Sequence, residues 1–292
     1  MDWNNFMQIF INIAAVFLRI MTNSLSNVFQ KKLAFDGEKP VCINFINYLL
    51  LSVACLPFLF ITDLSKLSGE FWFYALLGGI AGALCNNFMV MALKYGELSV
   101  LGPINSYKAV IGLIFGMILL QEIPNIYGII GVILIIFGTY FIFDNFTPSV
   151  FIRKDIKYRF LALFFSALEA VLIKKVILLS SVSTSVIASS ILGAVFSYII
   201  IKINGVCKVK FPDRKHSIIY ILTALCFGLM TISTAYVFKH INVGYALSLF
   251  QLSIIVNVIL GYKLFKEKNL IKKLIGSLII LIGSATILIY GH

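Results

Sequence analysis

Apolar residues gather into ten runs along this chain, at about 8–29, 41–62, 71–93, 98–120, 126–143, 158–179, 184–203, 217–238, 244–265 and 270–290. Each is close to the roughly 20 residues a helix needs to cross a bilayer. Backbone polar groups facing lipid must be paired within their own segment, so every run is predicted to be a helix. The short alternating segments of a β-barrel are absent. Connections are brief, and only 29–40, 144–157 and 204–216 are long enough to be loops. The predicted fold is an all-α polytopic membrane protein with ten transmembrane helices.

Composition agrees. Of 292 residues, 60% are apolar and 12% charged, with a mean hydropathy of +1.00. A soluble enzyme carries about 25% charged residues, and a disordered chain has few apolar ones. Ten spans leave no room for a soluble domain. Asp2 and the lack of a basic n-region in Met1–Phe10 argue against a signal peptide, so the first run is expected to be a retained span. The five cysteines, Cys42, Cys55, Cys85, Cys207 and Cys226, form no CxxC pair and read as small core residues rather than disulfides or metal ligands.

The net charge of +12 changes the picture through its placement. Eighteen of the 24 Lys and Arg fall in the connections between runs 1–2, 3–4, 5–6, 7–8 and 9–10, including the cluster Arg153, Lys154, Lys157 and Arg159. The opposite side holds Lys66, Lys174, Lys175 and Lys239. The positive-inside rule puts the basic side in the cytoplasm and both termini outside. The basic surface therefore points to the anionic face of a bilayer, not to nucleic acid.

The two halves are related. Sliding 94–140 onto 239–285, an offset of 145 without gaps, places Lys94 on Lys239, Gly116 on Gly261, Glu122 on Glu267, Gly131 on Gly276 and Gly138 on Gly283. Lys31 and Lys32 match Lys174 and Lys175 at an offset of 143. Apolar segments coincide by chance at Ile and Leu, rarely at Glu and Gly together. The chain is thus read as a duplication: a first repeat at 1–143, a connecting loop at 144–157 and a second repeat at 158–292. Five spans per repeat force the second copy to insert upside down. Inverted repeats are a transporter architecture, with a substrate site near the midplane between them.

A basic pair closing the first span, an acidic residue after the fourth (Glu122, Glu267) and a glycine-bearing fifth span (Gly128, Gly131, Gly138; Gly276, Gly283) resemble the EamA-type members of the drug/metabolite transporter superfamily. That resemblance covers nearly the whole chain. It implies ten helices in two inverted five-helix repeats, alternating access and no tightly bound cofactor. Members move amino acids, other metabolites, sugar nucleotides or drugs, often outward. It also implies a structural role for Glu122 and Glu267. The first spans carry Asn where the family frequently carries Trp.

Charge at bilayer depth costs about 2.5–3.5 kcal/mol on insertion scales, so each case asks for an explanation. Lys108 lies mid-span in Asn105-Ser106-Tyr107-Lys108 and is the first candidate for substrate binding. Arg19 belongs to a stripe of Gln8, Asn12, Asn23, Asn27 and Gln30, whose spacings of three, four and seven share one helix face. Glu169 lies in the sixth span. Opposite charges on facing repeats suit a zwitterion such as an amino acid. Each has a plainer alternative: pairing of Glu169 with Arg19 or Lys108, and helix-to-helix hydrogen bonding for the stripe. Asn44, Asn47, Asn86, Asn87, Tyr236, Gln251, Ser253 and Asn257 are weaker candidates, better read as contacts between helices. Ser253 occupies the repeat position of Lys108. Gly78 with Gly82 and Gly112 with Gly116 have GxxxG spacing, which permits close helix approach. Pro103 is expected to kink the fourth span and free carbonyls beside Asn105–Lys108.

No HExxH, P-loop or GxSxG is present, and His216, His240 and His292 sit at span ends. The sequence therefore predicts a secondary transporter of a small polar solute, an exporter or exchanger in the plasma or inner membrane. No cofactor or metal is expected, and a homodimer is possible. A central cavity should be built by spans one to four and six to nine, with spans five and ten peripheral. Rival readings are a lipid-linked sugar flippase, a membrane-embedded enzyme and a scaffold that transports nothing.

Overall fold

The computed structural model describes residues 3–59, 62, 67–108, 110–111, 125–143, 151–204, 214–240 and 243–290. Glu122, Gly112, Gly116, Lys66, Cys207, His292 and residues 144–150 of the 144–157 connection lie outside these, as does the side chain of Gln8. The described residues are helical, without strands. In chain order the helices are α1 (Trp3–Phe35), α2 (Pro40–Leu59), α3 (Gly69–Tyr95), α4 (Leu98–Ile104), α5 (Ile126–Ile142), α6 (Lys154–Leu179), α7 (Val182–Ile203), α8 (Arg214–His240), α9 (Val243–Phe250), α10 (Ser253–Phe265) and α11 (Leu270–Tyr290).

Among the described residues, five helices are long and apolar enough to cross a membrane by length and composition: 40–59, 69–95, 182–203, 216–240 and 270–287. α1 and α6 are long, at 33 and 26 residues, but polar residues interrupt their apolar content. α5 and α10 are shorter apolar helices.

The sequence expectation of a loop at 29–40 is corrected here. α1 continues to Phe35 because Leu33 and Ala34 are buried against Ile43, Val90 and Tyr220, leaving only 36–39 to make the turn, at Gly37 with φ +100°. Likewise α6 begins at Lys154, inside the predicted connecting loop.

Two predicted spans are broken helices. After α4, residues 105–106 form a turn before helix resumes at Tyr107; between α9 and α10, residues 251–252 do the same. At the first break the ladder tightens, with the Asn105 amide bonding Gly102 O at 3.0 Å and the Ser106 amide bonding Pro103 O at 3.1 Å. Pro103 lies just before this turn and, with no amide hydrogen, cannot donate to Ser99 O four residues back, which loosens α4 ahead of the break. At the second break no proline is present, and the Leu252 amide bonds Leu249 O at 3.1 Å.

Helices pair across the two halves: α1 with α8, α3 with α6, α2 with α7, α4 with α10 and α5 with α11. Exchanging the halves turns the α1–α8 pairing into α6–α3 and maps the α2–α7 and α5–α11 pairings onto themselves. Pairs of repeat-equivalent helices run antiparallel. Along α5 and α11, a Cβ on Gly131 would lie 2.7 Å from Gly283 O, and one on Gly138 would lie 2.8 Å from Gly276 O. Along α2 and α7, Asn44 bonds Ser197 while Ser52 bonds Ser190. α4 and α10, the first part of one broken span and the second part of its repeat mate, are also antiparallel, with Ser99 by Gly261 and Gly102 by Asn257.

The outer surface is apolar. α5 exposes Ile126, Ile129, Ile133, Ile136 and Phe137 while burying Gly131, Ile135, Gly138 and Ile142. In water such a face would be costly; against lipid tails it costs nothing.

Candidate functional site

The polar stripe of α1 faces a cavity of about 170 Å³ at the centre of the bundle. Arg19, Asn23, Ser26, Asn27 and Gln30 line it from α1. The other walls come from α2 (Tyr48), α3 (Gly82, Cys85, Asn86), the first break (Asn105, Lys108), α6 (Ser166, Glu169), α7 (Ser185, Ser189), α8, α9 and α10. Neither α5 nor α11 contributes to the lining, as their sparse polar content predicts.

Lys108 sits where helix resumes after the first break, and its Nζ donates to Ser166 Oγ at 3.0 Å. The Arg19 guanidinium lies over the Phe250 ring, 4.4 Å from the centroid. Its Nε is buried without a hydrogen-bond partner. Glu169 packs against the bare backbone of Gly82, where a Cβ would come within 2.5 Å of Oε1 and 3.1 Å of the Tyr48 hydroxyl. Gly82 thus makes room for a carboxylate as well as for helix packing. Among the described residues, the ion pairs are Lys31–Glu267, Arg153–Asp155, His216–Asp36 and Lys273–Glu97. None of them involves Arg19, Lys108 or Glu169, so the pairing considered from sequence does not form here.

A fourth charge enters that the sequence analysis placed in a loop. Arg159 is 7% exposed and lines the cavity. Its Nε donates to Leu101 O at 3.0 Å, its Nη1 to the Met89 sulfur at 2.7 Å and its Nη2 to Asn105 Oδ1 at 2.8 Å. Leu101 O is the carbonyl left over by the broken ladder, since the Asn105 amide turns to Gly102 instead. Irregular backbone at membrane depth is stable only where its groups are taken up by protein or water, and Arg159 takes up this one. A sequence signal existed. Arg159, Ser166 and Glu169 are spaced by seven and three, the same stripe logic that found Arg19.

The two breaks touch. Gln251 Oε1 accepts from Asn105 Nδ2 at 3.0 Å and lies 3.5 Å from Ser106 Oγ. Gln251 is therefore a tie between the breaks and lies outside the cavity lining. Two other candidates also fall outside it. Tyr236 meets His240 with ring centroids 4.3 Å apart and planes tilted by 36°, and Asn87 is buried in α3. Asn86 lines the cavity yet also donates to Asn44 Oδ1 at 2.5 Å. Asn44 in turn donates to Ala83 O and Ser197 Oγ, both at 3.0 Å. That knot joins α2, α3 and α7, the between-helix contact the sequence analysis preferred for these asparagines.

Glu267 stands away from the cavity, in the connection before α11. Its Oε1 accepts Lys31 Nζ at 2.7 Å and the Leu98 amide at 2.8 Å, and its Oε2 accepts the Ser99 amide at 2.8 Å. It caps the N-terminus of α4, where helix amides lack partners. Burial pushes its carboxyl up, but Lys31 and the Ser99 donors outweigh burial and hold it below the usual carboxylate range. Alongside, Lys273 contacts Glu97 and donates to Ser99 Oγ at 2.8 Å.

Comparison with known proteins adds a family. The EamA-like transporter family model matches residues 10–144 and 155–289. A solved crystal structure aligns with a TM-score of 0.65 at 13% identity, covering 94% of this chain and 95% of the other, a likeness of fold. No curated protein matches the chain.

Proposed function

The chain belongs to the EamA-like transporter family, a membrane transporter of the drug/metabolite superfamily, and from that premise we propose that it carries a small charged metabolite through the central cavity by alternating access. The supporting observation is the meeting of two broken helices beside a cavity that holds Arg19, Lys108, Arg159 and Glu169. Broken helices at a repeat interface are a recurring way to build a transport site. Ten spans in two inverted five-helix repeats are the architecture we infer. The antiparallel packing of α2 on α7, α4 on α10 and α5 on α11 supports it.

Transport is secondary, without ATP, and runs as export or exchange of an amino-acid-like or other charged solute. No catalytic step, cofactor or nucleic acid takes part. The basic loops face the cytoplasm and the termini lie outside, in the plasma or inner membrane. In this scheme Arg19, Lys108 and Glu169 contact solute, and Asn23, Asn86 and Asn105 shape the walls.

Counterflow in proteoliposomes tests the site. For a solute the wild type accumulates, Lys108→Ala is expected to slow uptake at least about tenfold, the loss of one charged contact worth roughly 1.4 kcal/mol. Unchanged uptake for every accumulated solute would remove Lys108 from the site.

A further inference from the structure

The cavity holds three cationic side chains and one carboxylate, and no two of them pair. Arg159 has its hydrogen bonds satisfied by a carbonyl, a thioether and an amide oxygen. These are neutral partners that leave the charge uncompensated. Lys108 is held by a hydroxyl and Arg19 by an aromatic face. The one carboxylate cannot neutralise the set. Arg159 and Glu169 are ten residues apart on α6, about 15 Å along the axis at 1.5 Å per residue. Lys108 is tied at Ser166, about 4.5 Å along the same axis from Glu169 and about 10 Å from Arg159. α6 is therefore graded, with cations along most of its cavity face and the carboxylate at one end.

An interior excess of two positive charges is costly in low dielectric unless something negative enters. Resting on the transport reading above, we infer that the solute carries net negative charge: a small molecule with two negative charges, from two carboxylates or one phosphate, rather than the zwitterion that Arg19, Lys108 and Glu169 alone would suit. Its negative charges meet the Arg19 and Lys108 head groups, whose donors are not used up, while Arg159 holds the break and adds field. Glu169 marks the end where a solute ammonium or hydroxyl fits.

The test uses the full-length protein in nanodiscs, melted at fixed ionic strength with succinate, glycerol 3-phosphate, leucine or putrescine. A ligand that binds the folded state raises its melting temperature. Succinate or glycerol 3-phosphate should raise it, the responding one naming the acidic group, while leucine and putrescine leave it unchanged. Without ligand, Lys108→Met should melt about 2–4 °C higher than wild type, since the cavity's excess positive charge falls from two to one, and should lose the anion response. Glu169→Gln should strengthen that response, because the one negative charge facing the anion is gone. A shift with leucine or putrescine in place of both anions would overturn the inference while leaving transport of a charged solute standing. A lower melting temperature for ligand-free Lys108→Met would overturn it too, because the lysine would then be compensated within the protein. Unchanged counterflow in Lys108→Ala is the separate result that defeats the site itself.

Discussion

Replacing Glu267 with Ala is expected to destabilise the protein by about 3–5 kcal/mol, the usual result of removing one partner from a buried ion pair. Lys31 is 3% exposed, and without Glu267 its ammonium would keep Gly96 O, at 3.0 Å, and the face of Phe265, 4.6 Å from the ring centroid, but no negative charge. The Leu98 and Ser99 amides would lose their acceptor at the same time, adding the penalty of unpaired buried donors. The double variant Lys31→Met with Glu267→Gln should recover more than half of the loss, because no lone charge remains. Equilibrium unfolding in detergent micelles measures both.

The same bridge predicts a pH dependence. The folded carboxyl is depressed below its ordinary value, so its contribution is complete above about pH 4.3, the unfolded Glu value. It is lost as pH falls through the lower folded value. Stability should decline over that acidic window in the wild type, and Glu267→Gln should flatten that part of the profile. A Glu267→Ala protein as stable as the wild type would show that the bridge and the α4 cap contribute nothing net.

The second large effect is expected at the crossing of α5 and α11. A Cβ on Gly138 would sit 2.6 Å from Ile280 Cγ1 and 2.8 Å from the backbone oxygen of Gly276, and one on Gly131 would sit 2.5 Å from Ile287 Cγ1 and 2.7 Å from Gly283 O. A backbone carbonyl in a helix cannot step aside, so the whole helix must move. Gly131→Leu and Gly138→Leu are each expected to cost about 1–3 kcal/mol as overpacking, with the double variant worse than either. Neither helix lines the cavity, so protein that remains folded should bind solute as the wild type does. Loss of binding at unchanged stability would contradict this division between scaffold and site.

The glycines show how the chain text reaches into the fold. Gly131 and Gly138 fall on Gly276 and Gly283 in the internal alignment, which marks them as one motif used twice. Only the fold reveals that Gly131 faces Gly283 and Gly138 faces Gly276. This crossed pairing is what an antiparallel crossing of equivalent helices requires. Glu267 was visible for the same reason, as the repeat mate of Glu122, but its partner Lys31 is 236 residues away in sequence and no spacing rule connects them. Pro103 announced the first helix break. The second, at Gln251–Leu252, has no proline and no local signal, and only its contact with Asn105 identifies it.

Arg159 is the instructive miss. A basic residue beside other basic residues near the edge of an apolar run reads as a loop charge, because hydropathy averages over a window and registers the neighbours. Its burial follows from α6 beginning earlier, at Lys154, and from the free Leu101 carbonyl on a different helix. What the sequence by itself determined is membrane residence, the polar stripe of α1, the glycine faces and the duplication, each of them a property of a single segment or of its repeat. What only the tertiary structure decided is how helices register against one another, and with it which charges share a cavity and which find a partner. The physical reason is that periodicity belongs to one segment, whereas compensation of a buried charge depends on the few ångströms between segments that side-chain packing sets.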